Sequence, residues 1–467
     1  MRYVSTRGES PALDFEGVLL AGLAPDGGLY VPARWPRLSR KSLISLRGKS
    51  YAELAAAVLQ PYLGSHLDAD AFGRLLAETY GGFDHPAVAP LTQLDANDWV
   101  MELFHGPTLA FKDMAMQVLG RLLDGALARR GRRATILGAT SGDTGAAAVD
   151  AFRGRQAIDV FMLHPEGRIS AVQRRQMTTA PDANVHNIAI QGTFDDCQAL
   201  VKALFQEADL RDRLNLAAVN SINWARVMLQ IAYYVHAAVA LGGPDRPVAF
   251  SVPTGNFGDV YAGYAAAMMG LPVAGLVVAT NRNDILARFF ASGEYRRGEV
   301  SATISPSMDI QVASNFERYV FDRVGRDAAE LNARMAAFAQ LGAFRVEVGN
   351  ADLFRAASVG EDETRAEIAR THRATGWLPD PHTAVGLAAS RIRRGDPAVP
   401  MVTLATAHPA KFAEAVTAAS GVVPQLPPRY ADLMQRPERC TTLPNDVGAV
   451  RAHLMAHAAL GDRRSAA

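Results

Sequence analysis

The sequence predicts an α/β protein with mainly parallel sheets flanked by helices. Two observations carry that prediction. From residue 132 onward, short β-rich apolar runs alternate with longer helical stretches, and parallel strands need such crossovers. The chain is also 49% hydrophobic over 467 residues, ample apolar surface for two to four buried cores at about 100–200 residues per domain. In order, residues 51–63 and 69–80 carry helical patterns behind a turn-rich start, Ala24-Pro-Asp-Gly-Gly28 and Val31-Pro-Ala-Arg-Trp-Pro36. Strand 134–137 leads to helix 142–152, strand 157–163 to helix 168–178, and strand 185–190 to helix 195–208. Strand 247–252 leads to helix 257–269 and on to strand 273–279, and strand 401–404 leads to helix 410–419. Residues 327–375 read as polar and helix-rich, and the tail after 424 shows no clear pattern. These patterns set off an N-terminal unit over 1–95 and a C-terminal tail over 426–467.

Composition excludes several classes. Lys plus Arg is 48 against 47 Asp plus Glu, net charge +1, so no basic field draws nucleic acid or anionic lipid. The uncharged run 260–280 matches the ~20 residues of a membrane span, but Gly270-Leu-Pro272 breaks it into a buried helix and a strand. The N-terminus lacks the apolar core of a signal peptide, and two cysteines, Cys197 and Cys440, make no disulfide framework. The expectation is a soluble cytoplasmic protein.

Of the 48 basic residues only five are lysines: 41, 49, 112, 202 and 411. Only an amine can lose its proton near neutrality and act as a nucleophile. Lys112 sits among Leu109, Ala110, Phe111, Met114 and Met116, where desolvation frees an amine; pairing with Asp113 is the plainer reading. Lys411, in His408-Pro-Ala-Lys-Phe412, is its rival.

In open parallel sheets, ligands bind in the loops after strands, and two such loops are rich in small residues. Thr140-Ser-Gly-Asp-Thr-Gly145 offers backbone N–H groups and a helix dipole to a carboxylate or phosphate, or is simply a capped helix start. Thr254-Gly-Asn-Phe-Gly-Asp259 lets a ligand approach closely at Gly255 and Gly258. A P-loop is excluded, because Leu43 precedes the chain's one Gly-Lys-Ser where the first glycine belongs. Segments 220–226, 307–318 and 404–411 carry more hydrogen-bonding groups than plain core needs. His453-Leu-Met-Ala-His457 has metal-ligand spacing without a third ligand nearby, so the expectation is two imidazoles on a solvated helix face and no metal.

One lysine in an apolar setting and two anion-binding loops together describe a pyridoxal 5'-phosphate site. The sequence resembles the threonine synthase family, in its longer bacterial and fungal type, within the fold type II pyridoxal-phosphate enzymes. The matching segments are 2–8, 22–32, 105–113, 140–145, 220–226, 255–259, 305–318, 379–382 and 406–412, in family order and across nearly the whole chain. The resemblance implies an architecture like that of the tryptophan synthase β subunit, with an N-terminal extension over 1–95. Residues 96–235 become a smaller, mobile substrate-side domain carrying Lys112 and the 140–145 loop. Residues 236–425 become the larger domain that binds the cofactor phosphate.

Residue by residue, the resemblance makes Lys112 the Schiff-base and catalytic lysine. It gives the cofactor phosphate to Gly255, Asn256, Phe257, Gly258 and Asp259, and faces Thr406 to the pyridine nitrogen. Asp143 stands where many relatives carry Asn near the cofactor's 3-hydroxyl. Thr140, Ser141, Gly142 and Thr144 take the substrate carboxylate, while Ser221, Asn223, Arg226, Asp309, Asn315 and Arg318 match pocket residues. The implied activity is that of a carbon–oxygen lyase acting on phosphate. It converts O-phospho-L-homoserine and water to L-threonine and phosphate, the last step of threonine biosynthesis. Arg226 or Arg318 would meet the departing phosphate, and closure of the small domain would exclude water. The implied partner is a small molecule, and the implied state a monomer or weak homo-oligomer. A phospho-lyase releasing a keto acid, and a cofactor-binding module without catalysis, are the competing classes.

Overall fold

The computed structural model describes residues 1–218, 221–348 and 353–459. The chain divides into two compact units, Met1–Met114 with Ser221–Pro424, and Ala115–Asn220 with Gln425–Ala467.

The first unit holds a six-stranded sheet in the order Phe354–Ser358, Val273–Thr280, Val248–Pro253, Met401–Ala405, Asp98–Glu102, Leu91–Asp95. All neighbours are parallel except the last pair, a short antiparallel edge. Strand Val248–Pro253 is buried along its whole length, as a strand covered on both faces must be. Helix Pro381–Ile392 packs on this sheet; Gly386 is required there, because a Cβ would sit 2.9 Å from Thr403 Cγ2 and 3.0 Å from Pro253 Cγ. Before the sheet, strand Tyr3–Ser5 pairs antiparallel with Tyr30–Pro32. Helices Tyr51–Leu63 and Ala69–Tyr80 follow, and Ser50 opens the first with a capping box to Glu53.

The second unit holds a five-stranded, all-parallel sheet: Thr441–Pro444, Val185–Gln191, Ile158–Pro165, Ala134–Ala139, Leu216–Ala217. Its edge strand comes from the C-terminal tail, where the sequence shows no pattern. Thr441–Pro444 is four residues long and mostly exposed, too short to give a periodic signal. The following helix, Val447–His457, buries Val450 and Leu454 against Leu137, Phe161, Ile188 and Leu200. His457 is exposed and His453 half-buried on this helix, as expected of a solvated face, and their rings stand 4.2 Å apart by centroid, with His186 5.5 Å from His457 and stacked on Phe161 at 4.3 Å. The sheet strand carrying His186 supplies the third ring, which local spacing does not reveal.

Helix Trp224–Ala240 is buried on nearly every face, which removes the amphipathic signal a sequence reading depends on. Among the described residues no helix is long and apolar enough to cross a membrane.

Candidate active site

Lys112 opens helix Lys112–Arg129 and is buried, its Nζ 4.9 Å from the Phe111 ring centroid. The turn before it is tight. Leu109 has φ +60°, and a Cβ on Gly106 would come within 2.4 Å of Asp113 Cβ. The Asp113 carboxylate accepts the Thr108 N–H and hydroxyl, both at 2.7 Å. The same turn is laced to the segment after strand Met401–Ala405. Phe111 N–H donates to the Thr406 carbonyl at 2.8 Å, and His408 N–H to the Leu109 carbonyl at 3.0 Å. Backbone pairing therefore brings Lys112 and Thr406 together, and groups Lys112 with the first unit rather than with the 140–145 loop.

Behind Thr406 lies a polar chain that sequence reasoning left unassigned. Thr406 N–H donates to the Thr383 hydroxyl at 3.2 Å, and that hydroxyl donates to Asp380. The other Asp380 oxygen accepts from His382 Nδ1 at 2.7 Å, while His382 Nε2 accepts the Ser307 N–H at 3.1 Å. A ring nitrogen that accepts from a backbone N–H carries no proton, so Nδ1 is the donor. The one sequence signal for this chain was the Pro379-Asp-Pro-His382 match.

Strand Val248–Pro253 runs into the loop 254–257 and helix Gly258–Met268. Phe257 adopts φ +63° at the N-cap, and no side chain caps that helix, so its first N–H groups remain for a ligand. A Cβ on Gly255 would lie 2.9 Å from the Ser307 carbonyl oxygen. Asn256 is held by Asn315, whose N–H and Nδ2 donate to its carbonyl at 3.0 and 3.1 Å, and by Ser314 Oγ at 3.1 Å, which also touches Ser221 Oγ at 2.9 Å. Asp259 turns away from the loop. Its carboxylate accepts from Tyr233 at 2.5 Å and Tyr234 at 2.8 Å, Oδ2 has no partner among the described residues, and burial pushes its pKa up to about 6.

The pocket residues separate by what already holds them. Asn223 caps helix Trp224–Ala240 through Ala225 N–H at 2.9 Å. Asp309 is gripped by Thr303, Asn281 and Asn283. Arg318 is fully buried and donates to the Tyr30 and Ile222 carbonyls and to Asn315 Oδ1. Arg226 differs. The residue is 5% exposed, Nη1 has no partner among the described residues, and burial lowers its pKa to about 10. Asn220, in the same motif, lies outside the described residues.

The remaining loop belongs to the second unit. Thr140 Oγ1 accepts the N–H groups of Gly142 and Gly145 at 2.9 and 2.8 Å, folding the turn that opens helix Asp143–Phe152. Gly142 has φ +141°, and a Cβ there would strike the Gln173 amide at 2.4 Å. Buried Asp143 accepts from Gln173 Nε2 at 2.9 Å. Ser141 is exposed and Thr144 half-buried.

A family model described as pyridoxal-phosphate dependent enzyme matches residues 84–406. Models described as threonine synthase N terminus and threonine synthase, C-terminal match 2–80 and 383–454. Threonine synthase of Pseudomonas aeruginosa is 55% identical, over 98% of this chain and 98% of that protein.

The chain belongs to the threonine synthase family.

Its fold is that of the family too. The structure of pyridoxal-phosphate-bound threonine synthase from Brucella melitensis matches with TM-score 0.96 at 53% identity, covering 98% of this chain and 99% of that one. Yeast threonine synthase matches with TM-score 0.93 at 37% identity, covering 98% of both. Membership places this chain among the fold type II pyridoxal-phosphate-dependent enzymes.

Proposed function

We propose that this member of the family converts O-phospho-L-homoserine and water to L-threonine and phosphate, in the cytoplasm, as a monomer or weak homo-oligomer. Lys112 anchors the cofactor and serves as the base. The residues suit pyridoxal phosphate on three grounds: a buried lysine, a helix N-terminus that no side chain caps, and the Thr406 segment bonded to the lysine's turn. When bound, the cofactor supplies an electron sink for charge developing next to the substrate amine.

The chain's own residues do the rest. The loop Gly255–Gly258, with Asp259 behind it, offers N–H groups to the cofactor phosphate, and Thr406 offers the pyridine nitrogen a neutral hydroxyl. By the family resemblance Asp143 would meet the cofactor's 3-hydroxyl. Thr140, Ser141, Gly142 and Thr144 take the substrate carboxylate at the start of their helix. The Lys112 amine removes the Cα proton and returns a proton there at the end, work for which one base poised by burial is suited. Ser221 and Asn315 line the substrate pocket, and Asn223, Asp309 and Arg318 hold its walls.

Arg226 carries the choice of a phosphorylated substrate. A buried guanidinium without an anion is costly, and a phosphate arriving with the substrate offsets that cost with charge-assisted bonds. Arg318 already has its acceptors. The test is product analysis of cofactor-loaded protein given O-phospho-L-homoserine. Threonine equal to released phosphate is the expected result. Keto acid equal to phosphate would assign a phospho-lyase instead, and no phosphate at all would overturn the substrate.

A further inference from the structure

We propose that Lys411 is a positioning residue for Lys112: its ammonium clamps the turn that presents the Lys112 amine and ties it to the Thr406 segment. The inference rests on Lys112 having the role proposed above.

Lys411 is one of five lysines in a chain that otherwise uses arginine, and it is 1% exposed. Its Nζ donates to the Thr108 carbonyl at 2.6 Å. Burying an ammonium is expensive unless specific acceptors compensate, so a lysine here is explained by what it grips. Thr108 is a pivot. Its carbonyl takes Lys411, while its N–H and hydroxyl go to Asp113, the residue next to Lys112. One residue on, Leu109 stands at φ +60°, a strained conformation for a γ-branched side chain that persists only when its surroundings over-determine it. The ammonium is itself rigidly aimed. Lys411 lies in the short 3-10 turn Pro409–Phe412, which His408 caps through Nδ1 to Ala410 N–H at 3.2 Å. An arginine would bring a larger planar fork into this closed space.

The geometry therefore makes Lys411 and the backbone pairing of Phe111 with Thr406 two clamps on one turn. Losing the ammonium leaves the phosphate loop untouched and lets the Lys112 amine wander from the Cα proton. Small misplacements of a base reduce turnover more than binding.

The experiment uses the full chain, first as wild type titrated with pyridoxal phosphate. A wild-type chain that gives no lysine-linked visible chromophore overturns the reading beneath this one before any variant is made. With the chromophore present, Lys411→Met is compared with wild type by thermal melting, cofactor titration, kcat, KM and visible absorption against pH. The expected result is uptake of cofactor as in wild type and a kcat lower by roughly tenfold or more with KM within about twofold. The midpoint of the absorption–pH curve should move by about half a pH unit or more. Lys411→Ala with added methylammonium should recover part of the lost kcat. Should Lys411→Met not fold, Leu109→Gly relaxes the same turn without adding strain and should shift the absorption midpoint. A lower melting temperature with kcat and the absorption midpoint unchanged would overturn the proposal, leaving Lys411 a merely structural residue.

Discussion

Arg226 and Arg318 are both buried guanidiniums, yet they differ in what surrounds them, and substitution should separate binding from folding. Arg318→Met strands the Tyr30 and Ile222 carbonyls and the Asn315 amide oxygen, a loss of about 3–5 kcal/mol readable in urea unfolding. Arg226→Met removes a buried charge whose Nη1 has no partner among the described residues. Thermal melting of the cofactor-free protein should show unchanged or higher stability, while kcat/KM for the phosphorylated substrate falls roughly a hundredfold or more. Lys112→Ala should abolish turnover and the lysine-linked chromophore while circular dichroism stays that of wild type; normal activity in that variant would remove Lys112 from the mechanism. Asp259 adds a pH signature. Its folded pKa is raised from 3.8 to about 6, so the folded state holds the proton more tightly than the unfolded one. Its contribution to stability is therefore fully present below 3.8 and is lost as pH rises through about 6. Asp259→Asn should remove that dependence, so the wild-type-minus-variant stability difference, measured by urea unfolding, should fall as pH rises through that window.

The elements that place these residues are strand-to-helix loops, and the sequence patterns for them are legible because each carries its own local chemistry. Small residues mark the turns, and apolar runs mark the strands. Helix Val447–His457 is different, since its meaning depends on what it packs against. There, burial first, and then the His457 and His453 rings, lower the His186 pKa from 6.5 to about 4. The unfolded ring protonates where the folded one stays neutral, so stability should fall as pH drops from 6.5 toward about 4. His186→Phe keeps an aromatic ring against Phe161 and should lessen that loss, measured as the difference in urea midpoint between neutral and acidic buffer.

At the scale of the whole molecule, the second unit is discontinuous in sequence, drawing on Ala115–Asn220 and Gln425–Ala467. Removing the chain from Gln425 onward deletes the edge strand Thr441–Pro444 and takes Val450 and Leu454 out of the core. Hydrogen exchange should then quicken in strands Val185–Gln191 and Ile158–Pro165, while Val248–Pro253 in the first unit keeps its protection. The single change Leu454→Ala should show a smaller version, about 2–4 kcal/mol in urea unfolding. Equal loss of protection in both units would show that they unfold as one.

By itself the sequence determined the α/β class, the order of most strands and helices, the lysine with its apolar neighbours, and the glycine-rich loops. Each of these is written in a stretch of a few to twenty consecutive residues, through periodicity, capping and glycine placement. Tertiary structure alone decided that Thr383, Asp380 and His382 stand behind Thr406, that Lys411 grips the turn before Lys112, and that Arg226 rather than Arg318 keeps a guanidinium nitrogen without a partner among the described residues. Those facts depend on which distant segments meet. A buried charge or hydroxyl carries no local mark of its partner, because hydrogen bonds across hundreds of residues are set by packing and not by spacing along the chain.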